Sequence, residues 1–265
     1  MTDKTISPED LVELERAKRL LENPGFIARV ANIIGMPLEK AMEALPPRAS
    51  QAIEKAAHAA ISSALKASLK TFLKQPKNKR NLKWLHKLLV GVTGAAGGFF
   101  GWAALAAELP VSTMIMLRSI AAIARANGED LHKADTQVAC VMVFALGGPK
   151  KSDDASESGY YAVRMALAKT VTEAAKYIAE KGLAEEGAPV LVRLIATIAA
   201  RFGVIVSEKA AAVMIPVVGA AGGAAINLAF IHHFQKMADG HFTVRRLERK
   251  YGAETVRAAY DSIVA

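Results

Sequence analysis

Two long runs without a charged side chain constrain this chain more than any other feature. The first, Leu88 to Ala107, is twenty residues between Lys87 and Glu108; the second, Ala210 to Ile231, is twenty-two residues after Lys209. Both reach the length of a membrane span, about 20 residues. Their composition tempers that reading. In the first run only seven residues are Leu, Phe or Val and eleven are Gly or Ala, and in the second Pro216 and Asn227 interrupt. The runs therefore fit either buried core helices or a membrane-inserted hairpin.

Each run contains the same five letters, GAAGG, at Gly94–Gly98 and Gly219–Gly223. A dinucleotide site needs GxGxxG after a strand, and a P-loop needs Gly-Lys-Ser/Thr to reach phosphate and magnesium; neither copy has that spacing or that lysine. No nucleotide is expected. Read as helix, Gly91, Gly94, Gly97, Gly98 and Gly101 recur at three and four residues and form one smooth stripe. Each interior glycine costs on the order of 1 kcal/mol relative to alanine, so a close helix contact must offset the loss. The second copy, with Gly219, Gly222 and Gly223, offers a matching stripe as partner, in the manner of small-xxx-small faces.

The chain carries a net charge of +9, unevenly spread. Between Lys55 and Glu108 there is no acidic residue, while Lys66, Lys70, Lys74, Lys77, Lys79, Arg80, Lys83 and Lys87 accumulate just ahead of the first uncharged run. A polybasic segment against an apolar one is the pattern of an anionic membrane surface site.

Aromatics make up only 6% of the chain and alanine is abundant, which suits close-packed helices better than sheets. Sustained period-2 alternation is lacking, so an all-α domain over residues 1–265 is expected, with residues 1–7 a flexible N-terminus. Ser7-Pro8-Glu9-Asp10 reads as a helix start, with Asn23-Pro24-Gly25 as its stop. Further breaks are expected at Gly35/Pro37, Pro46-Pro47, Gln75-Pro76, Leu109-Pro110, Asn127-Gly128, Gly147-Gly148-Pro149 and Gly182, with a polar internal loop over 147–158. The single cysteine, Cys140, lies in an apolar run and reads as inert packing; a charged N-terminus without an apolar core gives a cytoplasmic expectation.

A series of blocks carries a family likeness. Gly94-Ala95-Ala96-Gly97-Gly98-Phe99-Phe100-Gly101 leads to Glu108-Leu109-Pro110, then Leu117-Arg118-Ser119-Ile120-Ala121, Gly128-Glu129-Asp130-Leu131 and Val143-Phe144-Ala145-Leu146-Gly147. Ile215-Pro216-Val217-Val218-Gly219-Ala220, Gly223-Ala224-Ala225-Ile226-Asn227, His233-Phe234-Gln235 and His241-Phe242-Thr243-Val244-Arg245-Arg246-Leu247-Glu248 follow in order. The whole resembles the EcsC protein family from about residue 10 to the end. The resemblance implies a helical, bacterial protein of a family named after one encoded beside an ABC transporter, and it implies no reaction.

Candidate chemistry is sparse. His232, His233 and His241 with Asp239 and Glu248 are the one group resembling metal ligands, but zinc needs three or four convergent donors and HExxH is absent. His233 and His241 would lie about 80° apart on a continuous helix, which Gly240 is expected to interrupt; no metal or other cofactor is expected. Glu108, ahead of Pro110, reads as an acid near the first turn of the next helix, or as a buried carboxylate paired with Arg118 or Arg125. Arg245, Arg246, Arg249 and Lys250 form a basic cluster interleaved with Glu248, which reads as a solvated helix face rather than a nucleic-acid site. The leading expectation is an accessory protein at an anionic membrane surface or on a membrane transporter. The runner-up is a hydrolytic or metal-dependent enzyme using His232/His233/His241/Glu248 or Glu108.

Overall fold

Ser7 caps the first helix as the sequence expects: its hydroxyl accepts from the Asp10 amide at 3.3 Å, and Pro8 takes the first helical position, where a missing N–H costs nothing. This helix, α1, spans Pro8–Glu22. The computed structural model describes residues 5–22, 26–43, 45–71, 101–148, 159–182, 187–214 and 219–263. Among them every regular element is a helix. After α1 come α2 (Phe26–Ile34), α3 (Leu38–Glu43), α4 (Pro47–Thr71), α5 (Gly101–Ala126) and α6 (Ala134–Met142), the last continued by a 3-10 turn over Val143–Ala145. Then follow α7 (Gly159–Lys181), α8 (Pro189–Val213), α9 (Gly219–Tyr251) and α10 (Ala253–Ser262). The fold is all-α, as the composition and periodicity require.

The 33-residue α9 is the axis, packed on α1, α2, α5 and α10. A second layer forms where α4 lies on α5 and α8, and its inward stripe of Ala49, Ile53, Ala57, Ala60, Ile61, Ala64 and Leu65 keeps the helical period with small residues that let the axes approach. Between the layers, Phe144, Phe202 and Phe234 meet at centroid distances of 5.2 to 5.5 Å, with Phe230 a further 5.2 Å from Phe234. Residues 136–146 are buried throughout. The Ala145 carbonyl near the end of this segment accepts from the Arg201 guanidinium at 2.9 Å, and Cys140 is buried within the segment, where desolvation pushes the thiol far above its usual range.

Two expectations about helix limits are corrected. Leu109-Pro110 does not separate two helices: Pro110 sits inside α5, whose remaining turns carry the chain through. Gly240 does not interrupt α9 either, because it is buried against α1; a Cβ there would come 2.7 Å from Leu21 Cγ and 3.1 Å from the Ala17 carbonyl oxygen. The second uncharged run holds the end of α8 and the beginning of α9; Asn227, expected to interrupt it, lies inside α9, and Pro216 lies outside the described residues. Of the proposed loop 147–158, only Gly147 and Gly148 are described, and helix resumes at Gly159.

Candidate functional site

The C-terminal half of α9 places His241, Arg245, Glu248 and Arg249 on turns that face α5, α6 and α7, with Arg246 and Lys250 turned toward α1. Arg245 donates to Glu129 at 2.8 Å and to Asp135 at 2.6 Å, Thr136 donates to Glu129 at 3.0 Å, and Arg249 reaches both Glu129 and the Asn127 carbonyl. Burial pushes the Glu129 carboxyl up, but Arg245, Arg249 and Thr136 together hold it below the usual range. Arg164 grips Glu248 through both nitrogens at 2.7 and 3.0 Å, in the fork geometry that suits a guanidinium. Lys250 and Tyr251 donate to Asp10 at 2.6 and 2.7 Å and depress its pKa. The cluster read as a solvated basic face is thus a set of ion pairs stitching α9 to its neighbours. The acids that satisfy it come from α1, the α5–α6 connection and the first turn of α6, too far along the chain for spacing to reveal.

The candidate metal set does not converge. His232 is exposed, whereas His233 lies in the core 5.2 Å from Phe26 and 4.8 Å from Phe234. His241 is packed away from both, its Nδ1 2.9 Å from the Tyr160 hydroxyl. Among the described residues no three of His, Cys, Asp and Glu group as metal ligands. Burial holds the His233 pKa down to about 4, against slight opposition from the Leu146 backbone, and holds His241 well below the ordinary value. Glu108 sits mid-helix in α5, half-buried, with Arg118 and Arg125 exposed on the same helix and no ion pair joining it to either.

The opposite end of α9 is different in kind. Gln235 donates to Ser119 and Arg245 to Glu129 across the same separation of 116 residues, so α5 and α9 run side by side in the same direction. Their N-terminal parts carry Val111 and Leu228, exposed at 39% and 47% and at nearly the same level. Alongside ends α8, where Lys209 is buried with its Nζ 4.6 Å over the Phe230 ring and its pKa lowered by desolvation, Glu108 opposing. Its neighbour Glu208 is buried too, and desolvation with the nearby Glu39 charge raises it to about 7.

Of the glycine stripes, Gly94, Gly97 and Gly98 lie outside the described residues, Gly101 and Gly219 open α5 and α9, and Gly222 is half-buried. A Cβ on Gly223 would meet nothing within 4 Å. Of the basic segment, Lys66 is half-buried and Lys70 exposed at the end of α4; Lys74, Lys77, Lys79, Arg80, Lys83 and Lys87 lie outside the described residues.

A family model described as the EcsC protein family matches residues 9–247. No curated protein and no solved structure matches the chain.

Proposed function

The chain belongs to the EcsC protein family, and from that premise we propose that it is a helical accessory protein working at an anionic membrane surface or on a membrane transporter. One observation carries the reading. The segments Ala106–Ala126 of α5 and Pro189–Val213 of α8 are long and apolar enough to cross a membrane, yet only 39% and 44% of their most apolar windows are buried. Core helices of that composition are normally covered by their own fold. Here Val111 of α5, Val192 and Val204 of α8 and Leu228 of α9 remain exposed. Isolated exposed apolar residues are ordinary; apolar residues left exposed on helices of spanning character are less so.

The charge pattern supports the same orientation. The basic residues from Lys66 to Lys87 immediately precede the first uncharged run, and each cation near an anionic surface contributes about 1 kcal/mol, fading within a Debye length. Charge supplies the approach and exposed apolar surface the salt-resistant hold. Arg245 and Arg249 of α9 are both paired with the buried Glu129 inside the molecule, which argues against them as the lipid contact. Cosedimentation with vesicles tests the reading: protein should pellet with phosphatidylglycerol-rich vesicles at low salt and not with phosphatidylcholine, and added salt should release part of it. Protein that remains in the supernatant with anionic vesicles at low salt refutes the lipid-surface reading and leaves a transporter or another acidic protein as the target.

A further inference from the structure

The apolar end of the molecule holds a buried carboxylate on which no described cation acts. On α8, Ala200 and Val204 are exposed one turn apart, and Glu208 takes the next place on the same ridge. Glu208 is nevertheless only 7% exposed, because α3 packs on this part of α8. Its neighbour Lys209 turns to the Phe230 ring and feels Glu108 of α5. The end of α8 therefore lies beside the exposed Leu228 and Val111, two and three residues from Phe230 and Glu108.

What faces Glu208 is another acid. Desolvation, with Glu39 of α3 adding its charge, raises the Glu208 pKa to about 7. The other charged side chains of α2, α3 and the start of α4, namely Arg29, Lys40, Glu43, Arg48, Glu54 and Lys55, are exposed. Arg164 and Glu173 of α7 are taken up by Glu248 and Arg193, and α9 carries no carboxylate or cation before Lys236, its histidines there being the exposed His232 and the core His233.

The helix that covers Glu208 is lightly held. α3 is six residues long, buries Leu38 and Ala41, and hangs from α2 by Gly35, whose φ of 70° turns the chain with nothing within 4 Å of a Cβ placed there. Elements with so few buried apolar contacts open at the low end of a fold's stability range. With α3 lifted, Glu208 is hydrated and has the ordinary carboxylate value of 4.5; with α3 down it is buried opposite Glu39. Closure therefore takes up a proton between about pH 4.5 and 7. The ratio of closed to open falls over that window as pH rises, by a factor on the order of 10², and changes no further above it.

We propose that Glu208 and α3 form a proton-controlled latch on the membrane-facing end: protonated Glu208 lets α3 close and leaves the apolar end uncharged, whereas ionised Glu208 lifts α3 and sets a hydrated carboxylate beside Val204, loosening the salt-resistant hold. Anionic headgroups repel such a carboxylate, and an apolar phase admits it only at high cost. Control of attachment rests on the membrane-surface reading, but the latch does not.

Two measurements on the full chain separate them. Hydrogen exchange without vesicles, corrected for intrinsic rates, should show protection of the peptide spanning α3 falling at least tenfold from pH 5.0 to pH 7.5. Glu208→Gln, checked for wild-type melting at pH 5.0, should keep its protection at both. In cosedimentation with phosphatidylglycerol-rich vesicles at high salt, the bound fraction of the wild type should fall at least threefold over the same interval, and that of Glu208→Gln should stay constant. Equal α3 protection at the two pH values in the wild type, or the same loss in Glu208→Gln, overturns the latch whatever the vesicles show. A salt-resistant fraction independent of pH keeps the membrane reading and overturns the control of attachment. No bound protein at either pH, with α3 protection changing as expected, upholds the latch and refutes the membrane reading.

Discussion

Gly147 is where a single hydrogen matters most. Its φ of 75° is a left-handed conformation that L side chains rarely adopt, and a Cβ there would stand 2.5 Å from His233 Cε1 and 2.7 Å from Met237 Sδ. Gly147→Ala should therefore cost about 2 to 4 kcal/mol in urea denaturation, combining left-handed strain with overpacking. Gly223→Ala is the control, since it meets open space inside a helix and should stabilise by up to about 1 kcal/mol. A loss at Gly223 as large as at Gly147 would return the close approach to the GAAGG stripe. The sequence named the stripe because glycine periodicity is visible in one dimension; the ring that makes Gly147 indispensable sits 86 positions away in the chain. His233 adds a pH dependence. Its folded pKa of about 4 lies below the ordinary 6.5 of an unfolded histidine, so the unfolded chain binds the extra proton, and the stability present above about pH 6.5 is lost as pH falls toward 4. The full loss from this residue is about 3 kcal/mol. His241, also depressed, acts in the same direction, so His233→Leu should flatten the pH profile of the melting temperature over that window only in part. An unchanged slope would show that His233 charges in the folded state.

Several helix starts and stops were legible, because Ser7-Pro8, Pro47 and Gly182 act locally through caps, missing donors and a left-handed glycine. The failures share one cause, which is that packing decided them. Pro110 is carried by the flanking turns of α5, and Gly240 stays helical because α1 needs the space its missing Cβ leaves. The α1–α9 contact gives a test. Gly240→Ala gains about 1 kcal/mol of helix propensity but drives a methyl against Leu21 and the Ala17 carbonyl, at an overpacking cost of about 1 to 3 kcal/mol; the net result should be a loss. Leu21→Ala alone should also destabilise, by leaving a cavity. Combined, the two should lose less than the sum of the single variants by more than about 0.5 kcal/mol, since the smaller residue admits the new methyl. Strict additivity in chemical denaturation would mean that the two surfaces do not meet. The charged half of α9 was half legible: its arginines stood out in sequence, but Asp10, Glu129 and Arg164, which neutralise Lys250, Arg245 and Glu248, are supplied by other elements.

At the scale of the molecule, charge and apolar surface are divided along α9, with the ion-paired network at its C-terminal half and uncovered apolar residues toward its N-terminus. The net charge and the uncharged runs pointed to a membrane surface; among the described residues the helices long and apolar enough to span one are Ala106–Ala126 and Pro189–Val213, while residues 88–100 of the first run lie outside the described residues. The division predicts that lipid attachment and stability are separable. Val111 and Leu228 are exposed on adjacent helices at one level, so neither contributes much to the core, and Val111→Asp or Leu228→Asp should change unfolding stability by about 0.5 kcal/mol or less. In an apolar lipid environment the same aspartates carry the full cost of a buried, unpaired charge. Each variant should keep its wild-type melting temperature and its salt-sensitive binding to phosphatidylglycerol-rich vesicles, while the fraction that resists high salt disappears. A salt-resistant fraction that persists in the double variant would move the inserting surface elsewhere, and the exposed face of α8 around Val192 and Val204 would be the next to change. A large drop in melting temperature with binding intact would show instead that this end of α5 and α9 is core, covered by the fold itself.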